Sequence, residues 1–181
     1  NRPNSKQRGT FNDLTVELKT HQFTICTLKS CEGKTCPYKH GRAFAAHELK
    51  SGTTRATANV LRIWAAIFDL DDLTPDQAKD LIRRLMASGL SCVVSSTHSH
   101  RPGAPKLRLA IELSRPVSPV EWPAVWEAIN KGLELRADSN ARDPARLFFD
   151  PTCPSDVKPF AWSQAGAAYD VEAVLFDVPL V

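Results

Sequence analysis

Asp69-Leu70-Asp71 closes the largely apolar run that starts at Val60, and that junction is the first place where this chain could house chemistry. Side chains alternate along a strand, so Asp69 and Asp71 share one face while Phe68 and Leu70 take the other. Two carboxylates this close repel unless a cation sits between them. Oxygen ligands at this spacing suit Mg²⁺ or Mn²⁺. The plain alternative is a buried strand ending in a solvated acidic turn. A second apolar stretch runs from Ser91 and ends in Ser96-Thr97-His98. A lone histidine there is more often simply hydrogen-bonded in a core or at a surface. Lys106 and Arg108 alternate onto one face of the stretch Lys106 to Leu113, either aimed at an anion or forming the solvated face of an edge strand. Asp138 and Asp143, two further carboxylates, lie in one later loop before Arg146.

A separate constellation precedes these residues. Cys26-x4-Cys31-x4-Cys36-x3-His40 places three thiols and an imidazole within fifteen positions. That donor set could close a tetrahedral Zn²⁺ site in a loop too polar to pack by itself. Incidental thiols are the alternative, and Cys26 also reads as part of a strand core. The ending Cys36-Pro37-Tyr38-Lys39-His40 resembles the last half of Cys3His zinc fingers, whereas the first two gaps depart from them. Five cysteines is an odd count; without a secretion-type segment it favours reduced thiols or a metal over a disulfide framework.

These residues need a scaffold, and 181 residues supply one domain of good size. Its basic N-terminal subregion spans 1–58, with the candidate zinc loop at 26–40, and a core spans 59–181. Leu14 to Leu18 and Phe23 to Leu28 read as short strands. Gly41 to Arg55 reads as a small-residue loop carrying Arg42, His47, Lys50 and Arg55, suited to a flap over phosphates or to solvent. Thr74-Pro75 opens a helix with Leu81, Ile82, Leu85 and Met86 inward, and Gly89 stops it. Pro119 to Leu133 forms another, with Trp122, Val125, Trp126, Ile129 and Leu133 inward. Arg146 to Phe149 is a strand, and Val171 to Leu175 a short helix or turn. The expected class is α+β, with hairpins as well as crossovers. No run of 18 apolar residues occurs, so no membrane span is expected. A net charge of +3 does not by itself require a nucleic-acid partner, although basic residues dominate 1–62 and acids gather from Asp69 onward. The start at Asn1 suggests an excised piece of a longer chain.

The order of polar strand ends resembles the archaeo-eukaryotic primase superfamily in its plasmid and phage primase-polymerase form. Phe68-Asp69-Leu70-Asp71 is similar to its first motif, Ser96-Thr97-His98 to its Ser-x-His motif, Lys106-Leu107-Arg108 to a basic strand, and Asp138 to its third acidic position. The resemblance covers roughly residues 60–151. It implies an RRM-like central sheet with flanking helices, the N-terminal basic Cys/His region packed on it, and template-directed nucleotidyl transfer by a two-metal mechanism. On that reading Asp69, Asp71 and Asp138 hold two Mg²⁺ or Mn²⁺ ions between a primer 3′-hydroxyl and the α-phosphate of the incoming nucleotide. Ser96 and His98 donate to the triphosphate, Lys106 and Arg108 add positive charge, and Arg146 touches the nucleotide or pairs with an aspartate. Implied partners are a single-stranded DNA template, nucleoside triphosphates and a helicase domain elsewhere in a longer chain. The setting would be cytoplasmic replication of a plasmid, phage or other mobile element. A different class, the haloacid-dehalogenase-type phosphohydrolases, is similar at Asp69 as nucleophile and Asp71 as acid/base. It fits less well at Leu73 and in the half-polar stretch before Asp138. His98-x-His100 resembles the histidine pair of rolling-circle nickases, whose downstream tyrosine has only Tyr169 as a distant counterpart. A noncatalytic nucleic-acid-binding domain is the third class.

Overall fold

The computed structural model describes residues 9–31, 36–39 and 41–175. In chain order its regular elements are α1 (Phe11–Lys19), β1 (Gln22–Phe23), β2 (Ala43–Phe44), β3 (His47–Leu49), β4 (Val60–Leu70), α2 (Pro75–Ser88), β5 (Cys92–Ser96), β6 (Leu107–Val117), α3 (Trp122–Gly132), β7 (Phe148–Phe149), β8 (Thr152–Cys153), β9 (Ala161–Gln164) and α4 (Val171–Leu175). The central sheet has the order β3-β4-β6-β5-β9, and each neighbouring pair runs antiparallel. Two small ladders flank it, β1 with β8 in parallel and β2 with β7 antiparallel. This is the expected α+β class.

Alternation along the long strands divides the core into two layers. Phe68, Val94, Leu109 and Ile111 face α2 and α3, where they meet Leu81, Leu85, Trp126 and Ile129. The Phe68 and Trp126 rings pack with centroids 5.5 Å apart. The opposite face offers Ile67, Val93 and Ala110 to Leu18 of α1 and to Phe148. Each fully buried Leu or Phe contributes about 1.5–3 kcal/mol, so both faces of β4, β5 and β6 are held in register. Residues such as Asp69 that interrupt the pattern on the α1 face are therefore fixed in place.

The helix ends follow from local chemistry. Thr74 and Gln77 form a reciprocal capping box at the start of α2, with Pro75 in the first turn. Gly89 ends α2 at φ +65°, a left-handed conformation that favours glycine. Inward packing in α2 falls on Leu81 and Leu85, while Met86 is 60% exposed, contrary to expectation. In α3 Trp122, Val125, Trp126 and Ile129 are buried as expected, and Leu133 just past the end is half-buried.

Four expectations need correction. Leu14 to Leu18 belongs to helix α1, because Thr10 and Asp13 close a capping box in front of it. Phe11, Leu14 and Leu18 recur at helical spacing, and the alternation seen at Leu14, Val16 and Leu18 is accidental, with Val16 facing solvent. The strand expected over Phe23 to Leu28 shrinks to Gln22–Phe23. The loop expected over Gly41 to Arg55 carries two short strands, β2 and β3. The strand expected over Arg146 to Phe149 is confined to its last two residues. Near the start of β4 the register with β6 breaks between Ile63 and Ala65, leaving Trp64 41% exposed, with the Arg62 guanidinium 5.1 Å over its ring.

Candidate functional site

Antiparallel pairing brings the polar end of β4 beside the beginning of β6 and the end of β5. Asp69 is opposite Arg108, and Arg108 is opposite Ser95. All three side chains fall on the α1 face by alternation. Arg108 Nε donates to Asp69 Oδ1 at 2.8 Å and Nη2 to Oδ2 at 3.3 Å, a two-pronged ion pair whose side chains are only 11 and 12% exposed. Its remaining Nη1 donates to the Phe149 carbonyl at 2.6 Å, and the guanidinium lies 5.0 Å over the Phe148 ring. One register step outward, Lys106 Nζ sits 3.5 Å from Asp71 Oδ1, with both side chains partly in solvent. Each aspartate of the Asp-x-Asp pair thus faces a cation from β6 or its leading edge, and the chain itself answers the repulsion between them. A planar fork matched to a carboxylate also fixes direction, which a lysine could not do.

A cavity of about 50 Å³ opens beside this pair, with Ser95, Ser96, His98, Arg108 and Asp150 among its walls. Asp150 is 3% exposed. Its Oδ2 accepts from Arg42 Nε at 2.6 Å, while its Oδ1 is buried without a hydrogen-bond partner among the described residues. An orphaned carboxylate oxygen is costly unless something is meant to meet it. Sequence reading passed over Asp150, although Phe148-Phe149-Asp150 repeats the pattern of Ile67-Phe68-Asp69, an apolar strand end followed by a carboxylate. It also missed His21, whose Nε2 lies 3.0 Å from Ser96 Oγ and 3.3 Å from Ser95 Oγ. Burial holds this imidazole below its usual range, against the Ser96 carbonyl, which raises it. Ser96 Oγ also accepts from the Phe160 backbone N–H at 3.0 Å.

The other anticipated residues are placed differently. The backbone N–H of Asp138 donates to the Asp69 carbonyl at 2.9 Å, so its loop packs on the strand end. Its carboxylate, however, caps the following turn by accepting from Asn140 N at 3.0 Å and Asn140 Nδ2 at 2.9 Å. Asp143 Oδ1 accepts from Thr57 Oγ1 at 3.0 Å and from Ala145 N at 2.9 Å. Arg146 lines a separate narrow cleft with His47 and Asp143. Among the described residues, no group of three carboxylates comes close enough to share one ion.

His98 faces the cysteines. It is 4% exposed, and its Nε2 lies 3.6 Å from Cys26 Sγ, 3.5 Å from Cys31 Sγ and 3.3 Å from Cys36 Sγ. Cys31 and Cys36 are 3.1 Å apart. His98 Nδ1 is 2.8 Å from the Thr152 hydroxyl. The three cysteines expected at a metal loop are therefore together, and the imidazole beside them is His98, from the far end of β5. The expected fourth member, His40, lies outside the described residues. Burial, reinforced by the hydrogen bonds that the Cys31 thiol donates to Cys26 and Cys36, pushes that thiol up to about 12. Three sulfurs and a nitrogen converging in a buried site could hold a metal ion.

Residues 18–178 match the family described as the VapE N-terminal domain. The chain belongs to that family. Among solved structures it is similar to the AEP domain of the cyanophage S-2L primase-polymerase (PrimPol), at 16% identity and a TM-score of 0.47. That match covers 69% of this chain and 65% of the phage domain, so the chain spans just under two thirds of its length. No curated protein matches the sequence. The residues matched to the VapE N-terminal domain family include the sheet, the paired aspartates and the thiol cluster. Among the described residues no helix is long and apolar enough to cross a membrane.

Proposed function

We propose that this chain is the nucleotidyl-transfer domain of a primase or primase-polymerase, working on a single-stranded DNA template with nucleoside triphosphates. One observation carries the reading: Arg108 bridges Asp69 at the end of β4 to the Phe149 carbonyl at the end of β7, and shares a cavity wall with Asp150, Ser95 and Ser96. That combination offers carboxylates for divalent cations, a fixed cation for phosphate oxygens and hydroxyl donors for a phosphate tail. It agrees with the motif order that resembles the primase superfamily.

Asp69, Asp71 and Asp150 are the residues that would hold Mg²⁺ or Mn²⁺, divided between two ions, since no three carboxylates among the described residues meet at one. All supply hard oxygens, and the unpartnered Oδ1 of Asp150 fits such an ion. When bound, the ions supply a lowered pKa for the attacking 3′-hydroxyl and neutralisation of the leaving pyrophosphate. Asp150 takes the third position that the sequence reading gave to Asp138, whose carboxylate is engaged in capping. Arg108 and Lys106 pair with the two aspartates and would offer their charge to phosphates once substrate enters. Ser95 and Ser96, with His21 against them, take the hydrogen-bonding role first assigned to Ser96 and His98. Replication of a plasmid, phage or other mobile element, with a helicase domain in the longer chain, is the context implied by the resemblance. The family match lends the phosphohydrolase alternative no support.

The decisive assay supplies a single-stranded template, labelled nucleotides and Mn²⁺ to the wild-type protein and to the Asp69→Ala/Asp71→Ala variant. Template-dependent products from the wild type alone are expected. Equal product from both, or metal-dependent phosphate release from a simple phosphoester, would defeat the reading.

A further inference from the structure

We infer that Cys26, Cys31, Cys36 and His98 form a structural Zn²⁺ centre that clamps the N-terminal segment onto the end of β5. The inference is independent of the nucleotidyl-transfer reading, because its readout is bound metal and not turnover.

Four features support it. All four residues are buried, and their ligand atoms lie within 4.8 Å of one another. Tetrahedral zinc with Zn–S near 2.3 Å and Zn–N near 2.0 Å sets ligand–ligand edges of about 3.5–3.8 Å. The three S···N edges, 3.3 to 3.6 Å, lie near that figure, and the Cys31–Cys36 sulfur edge of 3.1 Å would open by several tenths of an ångström around the ion. Next, the imidazole is oriented from behind. If Nδ1–H donates to Thr152 Oγ1, Nε2 carries its lone pair toward the sulfurs, as a ligating histidine requires. The burial also lacks another purpose: the three cysteines form a small cluster of their own, apart from the two layers of the main core. Lastly, the backbone around the thiols has few regular elements. Residues 24–31 carry a single short 3-10 turn, Lys29–Cys31, and Pro37–Lys39 form another. A segment with so little regular structure gains most from a metal crosslink.

The centre joins parts distant in sequence. Cys26 enters from the segment after β1, where its carbonyl accepts from Ser155 N at 2.8 Å. Cys36 leads directly into the turn Pro37–Lys39, and Lys39 lines the same cavity as Arg108 and Asp150. His98 follows the serines at the end of β5. One ion would thus hold the turn bearing Lys39 against the cavity wall, at the cost of removing His98 from any role in contacting phosphate.

The test is metal analysis of the purified 181-residue chain, together with replacement of the native ion by Co²⁺. One equivalent of zinc is expected, and the cobalt form should show sulfur-to-metal charge transfer and the visible bands of tetrahedral coordination. His98→Ala should lose the ion. His98→Cys, which restores a fourth ligand, should keep it with a shifted cobalt spectrum, showing that the alanine variant fails through its missing ligand. Thr152→Val should weaken metal affinity by about tenfold or more without changing the ligand set. His40→Ala should bind as the wild type does. The inference is overturned by a folded wild-type protein that neither contains nor takes up zinc. It is equally overturned by loss of metal in His40→Ala with retention in His98→Ala, or by a Cys31–Cys36 disulfide in the freshly purified protein.

Discussion

Asp69 and Asp150 show how differently two acidic side chains can be treated within one cavity region. Asp69 has both oxygens taken by Arg108, whereas Asp150 leaves one oxygen buried and unmet. Removing one member of a buried ion pair strands the other at a cost of about 3–5 kcal/mol, so Asp69 and Arg108 are expected to vary together. Asp150 has no such constraint on Oδ1, which makes it the more informative position. Asp150→Asn keeps the volume and removes the charge. It should lower primer extension about 100-fold, while Asp138→Asn, which alters only a turn cap, should change it little. Steady-state extension with both variants checks this. A silent Asp150→Asn beside a dead Asp138→Asn would return the third acidic role to the loop. The strand-end acids and cations were legible in the sequence because alternation shows which side chains share a face. The partner of His98 was not, since sequence spacing favoured His40, four positions from Cys36, over a histidine that only the fold brings near.

Between elements, the tightest constraint lies where the segment after β9 passes the end of α2. Ala167 N donates to the Gly89 carbonyl at 3.0 Å, and Ser91 N donates to the Ala167 carbonyl at 2.7 Å. A Cβ on the neighbouring Gly166 would land on that same Gly89 carbonyl and lie 2.9 Å from its carbon. The backbones touch there, and a methyl group must push them apart. Gly166→Ala should therefore destabilise by about 1–3 kcal/mol, seen as a lowered urea midpoint with an unchanged slope. A midpoint within error of wild type would mean the two segments separate easily. Long elements were the readable ones: α2 through its cap, proline and terminal glycine, and β6 through its alternation. The short ones were not. Two-residue strands such as β1, β2, β7 and β8 exist because a partner strand is nearby, which local sequence does not encode. In α1, five residues of chance alternation outweighed the capping box at Thr10 and Asp13.

Across the whole molecule, Arg115 near the end of β6 ties the sheet to α3 and α4. It donates through Nη2 to Glu121 Oε1 at 2.8 Å and through Nε to Glu172 Oε1. Arg115, opposed by partial burial and aided by Ser118, holds the Glu121 carboxyl down at about 2, against an ordinary 4.5. A depressed acid favours the folded state only where it is ionised. This contribution is thus complete above about pH 4.5 and fades as pH falls toward 2. Solvent screening of the partly exposed pair keeps it modest. Thermal melts between pH 6 and 2.5 should show a shallower acid decline for Glu121→Gln than for the wild type, and parallel declines would show that the tie contributes nothing. The register break at Ile63 and Ala65 has a further consequence. Of the chain's four tryptophans, Trp122 and Trp126 are sealed in the core and Trp162 is half-covered, while Trp64 stands in solvent beneath a guanidinium. The long-wavelength side of the emission band therefore belongs chiefly to one indole on the β3–β4 edge, giving the protein a built-in optical probe for anything that settles on that rim.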